Sequence, residues 1–319
     1  MNWKVKKLNL ILLIAISSFV SAQTTSANDN PARQDVIYIK GVKFVDALLE
    51  KWISEYSKEH PGVLLSVAGK DTPEHSIEVV AFGVRKDNAL QMPATIVSFG
   101  KYAILPIAGE GNVLEDDFKK KKLNEKRLKE LFFEKDFLAE DYEPDKKEKY
   151  DATVYSANNF NSISHSFAGY FGYEASSLKG KKIAGDDIYL NNAVKKDIKG
   201  VSFNNLNYIF NIESRRLNDG IALLPLDLKK EYAEVLNGQN LDETIALLEN
   251  KNIDLIPVEE LAFVLPKNAN PVVLQFLDWA LSEGQDYIHS FGFLQLDEKT
   301  LAQQRRQLSA LETKLLANK

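Results

Sequence analysis

The sequence predicts an α/β protein made of two lobes, and two observations carry this prediction. Strand-like apolar runs alternate with amphipathic helix patterns, beginning with strand, helix, strand over residues 35–67, an order typical of a parallel sheet with right-handed crossovers. The residues after position 22 exceed the usual size of one hydrophobic core. With 45% apolar residues, the chain can fill two such cores.

The N-terminal segment is typical of a secretory signal peptide. Three lysines precede an apolar run from Leu8 to Ile16, and Val20-Ser21-Ala22 forms a cleavage-site pattern. The apolar run is too short to span a bilayer as a helix. We therefore expect residues 1–22 to be removed before Gln23 and residues 23–34 to form a flexible leader.

Composition narrows the classes of function. The chain has no cysteine, which excludes lipoprotein acylation, disulfides, zinc–thiolate sites and thiol catalysis. Loss of the three signal-peptide lysines would change the formal charge from −5 to −8, so we expect no nucleic-acid partner. No later apolar run reaches membrane-spanning length. The expected product is a periplasmic protein that neither spans nor is anchored in the membrane, and that needs no cofactor.

Hydrophobic periodicity predicts the strands and helices along the chain, and glycine and proline residues mark where they end. The segment 116–151, crowded with lysines and acids, is interpreted as the solvated face of a helix and the loop beyond it. The final helix carries a leucine stripe, which predicts a strap across one lobe, with a docking surface for a partner as the alternative. The predicted strands are 35–40, 63–67, 77–82, 102–106, 152–156, 206–210, 221–225, 254–257 and 262–265; the predicted helices are 41–59, 123–133, 162–173, 241–250, 272–283 and 298–317.

Six segments carry a resemblance to a known family. In this order along the chain, and within residues 35–310, they resemble the phosphate-binding component of bacterial phosphate ABC importers, the PstS-like members of the type II periplasmic binding proteins. The segments are Gly41–Trp52, Tyr56–Val63, Tyr102–Pro106, Leu123–Phe132, Gly220–Asp227 and Phe276–Tyr287.

The resemblance implies a type II periplasmic-binding-protein fold, with a mixed, mostly parallel sheet flanked by helices in each lobe and hinge strands between the lobes. It implies a first lobe of 34–103 plus 258–319 and a second lobe of 104–257. A small anion or other small ligand would bind in the cleft between them, and an ABC permease would be the partner. Closure of the cleft would present a new surface to that partner.

The oxyanion donors of the family are only partly present in this chain. Where the family opens with Ser and Thr hydroxyls, this sequence has Val42 and Lys43. Lys43 is either a cation for the ligand or a solvent-facing helix lysine. Lys70, after the second strand, and Arg85, beyond the third, are the basic residues nearest to the other family donor positions.

The segment that should clamp an oxyanion shows the largest departure. The family's arginine and threonine fall on Ala157 and Ile163, so both donors are lost. Asn161 and Ser162 are either ligand donors or a helix N-cap. The remaining polar candidates in this segment are Asn158 and Ser164.

Two functions stay open after this comparison, and neither is enzymatic. The four histidines lack metal-ligand spacing, and no nucleophile, phosphate-loop or zinc-protease motif is present. One reading is a substrate-binding-type protein that no longer binds phosphate by the family's geometry. The alternative is a scaffold repurposed as a non-transport subunit of an envelope or outer-membrane protein complex.

Overall fold

The computed structural model describes most of the chain after the N-terminal segment. The signal peptide and the leader expected over residues 1–34 lie outside the described residues. The described ranges are 36–69, 72, 77–81, 95–134, 149–159, 162–266 and 269–317.

The described strands form one mixed sheet in the order β2-β1-β3-β9-β4-β7-β5-β6, with β8 paired to β4. β1 is parallel to β2 and β3, as the strand–helix–strand pattern predicts. β5 is parallel to β6 and β7. The strands are β1 (Ile37–Lys40), β2 (Leu65–Val67), β3 (Ile77–Ala81), β4 (Thr95–Gly109), β5 (Thr153–Ala157), β6 (Lys181–Ile183), β7 (Gly200–Asn205), β8 (Ile221–Leu223) and β9 (Val258–Leu265).

Helices flank this sheet, which confirms the predicted α/β class. A short 3-10 turn, Lys43–Val45, precedes the first helix. The helices are α1 (Asp46–Glu59), α2 (Glu115–Lys120), α3 (Glu125–Phe132), α4 (Ile163–Tyr170), α5 (Ile188–Lys196), α6 (Leu206–Ile209), α7 (Lys230–Asn237), α8 (Leu241–Asn250), α9 (Pro271–Ala280) and α10 (Glu298–Ala317).

Strand β4 exchanges partners along its length. Its residues up to Ala103 pair antiparallel with β9, and its residues from Ile104 onward pair with β7 and β8. We call β1, β2, β3, β9 and the first part of β4 the first sheet region. The second sheet region is the rest of β4 with β5, β6, β7 and β8.

Each sheet region has its own aromatic packing. In the first region, the rings of Trp52 and Phe99 meet edge to face at 5.3 Å, and the Trp52 indole N–H donates to the Gly284 carbonyl at 2.7 Å. In the second, Phe167 on α4 stacks on Phe203 on β7 at 3.8 Å. These buried rings fix α1 and α4 against the sheet, and both helices begin beside the candidate site described below.

Helix α10 packs on α9 and β4, so the predicted strap is observed over 298–317. Leu308 is buried, and two glutamines reach the β4 backbone. Gln304 accepts from the Ser98 N–H at 3.0 Å, and Gln307 donates to the Ile96 carbonyl at 3.1 Å. These bonds satisfy backbone groups beside the irregular pairing between Ser98 and Gly100.

Several predicted elements differ from the structure in type or in length. Residues 206–210 were predicted as a strand, but Leu206–Ile209 is helix α6, because the Asn205 side chain accepts from the Tyr208 N–H and caps a helix there. Residues 254–257 form a turn and not a strand. β4 extends well beyond the predicted 102–106, because both ends of that run also find partner strands.

Candidate functional site

Three parallel strands place their carboxyl ends together in the second sheet region. β5 leads into α4, β6 leads to Asp186 and Asp187, and β7 ends at Asn205. In α/β sheets, ligands bind at the carboxyl ends of the strands. The end of β1 leads to Val42 and the 3-10 turn in the same way in the first sheet region.

A carboxylate from another element of the chain caps α4. Asp187 Oδ2 accepts a hydrogen bond from the Ile163 N–H at 3.0 Å, at the first residue of the helix. Ser162 is the N-cap residue, but its hydroxyl makes no capping bond and lies 3.4 Å from His165 Nδ1. The Ile163 N–H at this helix N-terminus, a position that favours negative charge, is therefore already bonded to a carboxylate that belongs to the protein.

Asp187 is held away from water. Its side chain is 7% exposed, and its Oδ1 has no hydrogen-bond partner among the described residues. Burial raises the pKa of Asp187 from 3.8 to about 7, with a smaller rise from Asp186, while the bond from Ile163 opposes the shift. This carboxyl therefore changes charge near neutral pH.

The groups that face this cluster from the first sheet region carry both signs of charge. Val42 is buried, and its carbonyl accepts from Val45 N. Lys43 is exposed and pairs with Asp46 at 2.6 Å. The hydrogen bond to Asp46 is the main cause that raises the pKa of Lys43, and the charge of Asp186 adds to it.

Tyr208 shows that these charges lie close to one another. Burial is the main cause that raises the pKa of Tyr208, and the charge of Asp186 and a hydrogen bond with it raise the pKa further. Asp187 and Asp46 act in the same direction. Acidic groups from both sheet regions therefore act on one phenol.

A side-chain hydrogen bond from α6 reaches the first sheet region at this place. The Asn207 Nδ2 group donates to the Phe44 carbonyl at 2.6 Å. Beside it, Asn204 Nδ2 donates to the Asp187 carbonyl at 2.8 Å, and Asn204 Oδ1 accepts from the Asn205 N–H. The end of β7 is thus tied to the segment that follows β6, and α6 is tied to the 3-10 turn.

The structure brings together only part of the site expected from the sequence. Ser164 is fully buried, and its Oγ accepts from the Ala157 N–H at 2.8 Å, so it holds β5 to α4. Asn158 has an exposed side chain, and its backbone N–H donates to the Ile183 carbonyl. Three other expected residues, Lys70, Arg85 and Asn161, lie outside the described residues.

Sequence reasoning missed Asp187, Asn205 and Asn207. A signal for them exists, because Gly185-Asp186-Asp187 follows one short strand-like stretch and Asn204-Asn205 ends another. Those strands, Lys181–Ile183 and Gly200–Asn205, were not predicted. Their polar ends were therefore not placed beside α4.

Three further observations bound the chemistry within the described part of the chain. No group of three or more His, Cys, Asp or Glu residues is placed to hold a metal ion. None of the helices there is both long and apolar enough to cross a membrane.

A mostly apolar cavity of about 360 Å³ lies between β4, β8, α2 and α7, and none of the candidate-site residues lines it.

Comparison with solved structures identifies the fold. A proposed phosphate ABC transporter substrate-binding protein from Clostridium perfringens, with bound phosphate, matches 82% of this chain and 100% of its own at a TM-score of 0.54 and 14% identity. An ABC-type phosphate transport receptor from Vibrio cholerae matches 82% of this chain and 100% of its own at a TM-score of 0.53 and 11% identity. The chain has the type II periplasmic-binding-protein fold.

This fold confirms the predicted α/β class and the type II periplasmic-binding-protein fold that the resemblance implied. No protein-family model and no curated protein matches the chain. At identities this low, the type II periplasmic-binding-protein fold is shown and the ligand is not. Which ligand this chain binds must therefore be argued from its own residues.

Proposed function

We propose that this chain is an exported substrate-binding-type protein whose cleft excludes inorganic phosphate. The observation that supports phosphate exclusion most directly is the hydrogen bond from the Ile163 N–H to Asp187 Oδ2. A helix N-terminus is a natural oxyanion site, but here a protein carboxylate faces its donors. Phosphate would have to displace that carboxylate or bind beside a like charge.

The remaining charges support this exclusion. Asp46 and Asp186 add two acidic groups, while the Lys43 cation is paired with Asp46. The family's arginine position is Ala157, which is buried and offers no charged donor. Losing a charged hydrogen bond costs about 1.5–3 kcal/mol, so several such losses lower phosphate affinity by orders of magnitude.

The sheet supports the proposed division into lobes. β4 changes its partner strand between Ala103 and Ile104, and β9 begins at Val258. We propose lobes of 34–103 plus 258–319 and of 104–257, with β4 and β9 at the hinge. A soluble receptor of this kind works in the periplasm with an ABC permease, which we propose as the partner class.

A second candidate function, a non-transport subunit of an envelope or outer-membrane complex, has its own support. Arg215 donates to the His289 and Ser290 carbonyls, at 2.8 and 3.2 Å. Glu249 Oε1 lies 2.7 Å from His289 Nε2 and accepts from the Gln295 N–H at 2.6 Å. These contacts fasten 104–257 to 258–319, as a binding protein that no longer opens would require.

Tagging the C-terminus in the native host tests the proposed function. We expect osmotic shock to release a chain that begins at Gln23, and subunits of an ABC permease to co-purify with it. Recovery of a different envelope complex would favour the second candidate. A chain that stays in the cytoplasm with residues 1–22 attached would contradict export.

A further inference from the structure

Unpartnered polar atoms accumulate at the carboxyl ends of β6 and β7. In the described part of the chain, Asp187 Oδ1, Asn205 Nδ2 and Asn207 Oδ1 are buried and have no hydrogen-bond partner. We call these three residues the cleft cluster. Buried polar groups in proteins are nearly always hydrogen-bonded, and an exception points to a missing partner.

The second polar atom of each of these side chains is already used. Asp187 Oδ2 accepts from Ile163 N, Asn205 Oδ1 accepts from Tyr208 N, and Asn207 Nδ2 donates to the Phe44 carbonyl. These bonds hold the three side chains in place. The unpartnered atoms, two acceptors and one donor, are thus pre-organised for a ligand.

The charge around the cleft cluster selects the kind of ligand. Asp46, Asp186 and Asp187 all act on Tyr208, and Lys43 is the basic group paired with Asp46. With Asp187 ionised, these four groups carry more negative than positive charge. An anion is repelled there, whereas a cation that hydrogen-bonds to Asp187 is attracted.

We propose that the cleft cluster binds the ammonium group of a small organic cation, which donates hydrogen bonds to Asp187 Oδ1 and Asn207 Oδ1. An ammonium group has three donors and no acceptor, which matches these two acceptors. Asn205 Nδ2 donates to an oxygen next to the ammonium group. A divalent metal ion is a poorer match, because calcium takes six to eight oxygen ligands and magnesium demands an octahedral set.

This inference rests on the proposed function, since it names the ligand class of the same cleft. The carboxylate that excludes phosphate is the group that receives the ammonium. The proposed exclusion of phosphate and the proposed binding of an ammonium group can be refuted separately. A cleft that excludes phosphate and also ignores ammonium compounds would refute only the inference.

Calorimetric titration of the exported chain with ethanolamine at pH 8, where Asp187 is ionised, tests this inference, with glycolate as a hydroxyl compound of similar size and opposite charge. We expect ethanolamine to bind and glycolate not to bind. Asp187→Asn should weaken ethanolamine at least tenfold, as loss of a charged hydrogen bond predicts. Asp116→Asn, an exposed carboxylate on α2, should leave the affinity unchanged.

A spectroscopic measurement keeps the test decisive if Asp187→Asn does not fold. Ethanolamine should shift the amide resonance of Ile163 in the wild-type chain, because that N–H donates to Asp187. No ethanolamine binding, binding with no shift at Ile163, or equal affinity of the Asp187→Asn and Asp116→Asn variants would overturn the inference. Phosphate binding to the wild-type chain would overturn the proposed function instead.

Discussion

Relative to wild type, the Asp187→Asn variant is expected to be more stable at pH 8 than at pH 4.5, and this gain is up to about 3 kcal/mol. The pKa of Asp187 rises from 3.8 to about 7 on folding, and each pKa unit corresponds to about 1.4 kcal/mol. The folded state therefore holds this proton more tightly than the unfolded state. Its stabilising contribution is complete below pH 3.8 and is lost as the pH rises toward 7.

Asparagine removes this linkage and can still accept from Ile163 N. Urea unfolding of wild type and Asp187→Asn across this pH range measures the difference directly. Taking the difference cancels the groups with lowered pKa values, such as Glu249, which act in the opposite direction. Asp116→Asn, on the protein surface, should give curves parallel to wild type. A constant difference between Asp187→Asn and wild type would show that Asp187 is ionised alike in both states.

The Trp52→Ala variant is expected to lose about 3–5 kcal/mol of unfolding free energy. Trp52 is fully buried against Phe99, and its indole N–H donates to the Gly284 carbonyl. Truncation leaves a cavity and an unpaired carbonyl where α1 meets the chain near residue 284. Urea unfolding measures the loss.

Two further variants test how much of the unfolding free energy comes from the hydrogen bond of Trp52 and how much from its burial. Trp52→Phe keeps most of the apolar volume and loses the hydrogen bond, so it should cost less than Trp52→Ala. Leu64→Ala removes a large apolar side chain that is 41% exposed, and should change the unfolding free energy by under about 1 kcal/mol. Equal losses for Trp52→Ala and Leu64→Ala would contradict the packing described here.

The sequence predicted the elements whose periodicity is strong. The helices at 241–250 and 298–317 were predicted with the observed bounds, since a clear apolar stripe and the cap Asn240 or the preceding Asp297 mark them. α1 was predicted from its apolar face. β6 was missed because three residues, Lys181–Ile183, are too few to show an alternating pattern, and helix α5 was also not predicted.

The residues of the candidate site were harder to predict from the sequence than the fold. The resemblance directed attention to local donors around Ser162, whereas the group that faces the α4 N-terminus is Asp187, 24 residues further along the chain. Such a cap is a tertiary contact made by two neighbouring strand ends. It follows from the parallel pairing of β5 and β6 and from no local pattern.

Titration of the exported chain with inorganic phosphate in a calorimeter at pH 8, where Asp187 is ionised, tests most directly the claim that the cleft excludes phosphate. A cleft in which Asp187 faces the α4 N-terminus, and in which the family's arginine position is Ala157, predicts no binding heat at micromolar to millimolar phosphate. Saturable binding with micromolar or tighter affinity would contradict the claim, because it would require the Ile163 N–H donor, which Asp187 already occupies.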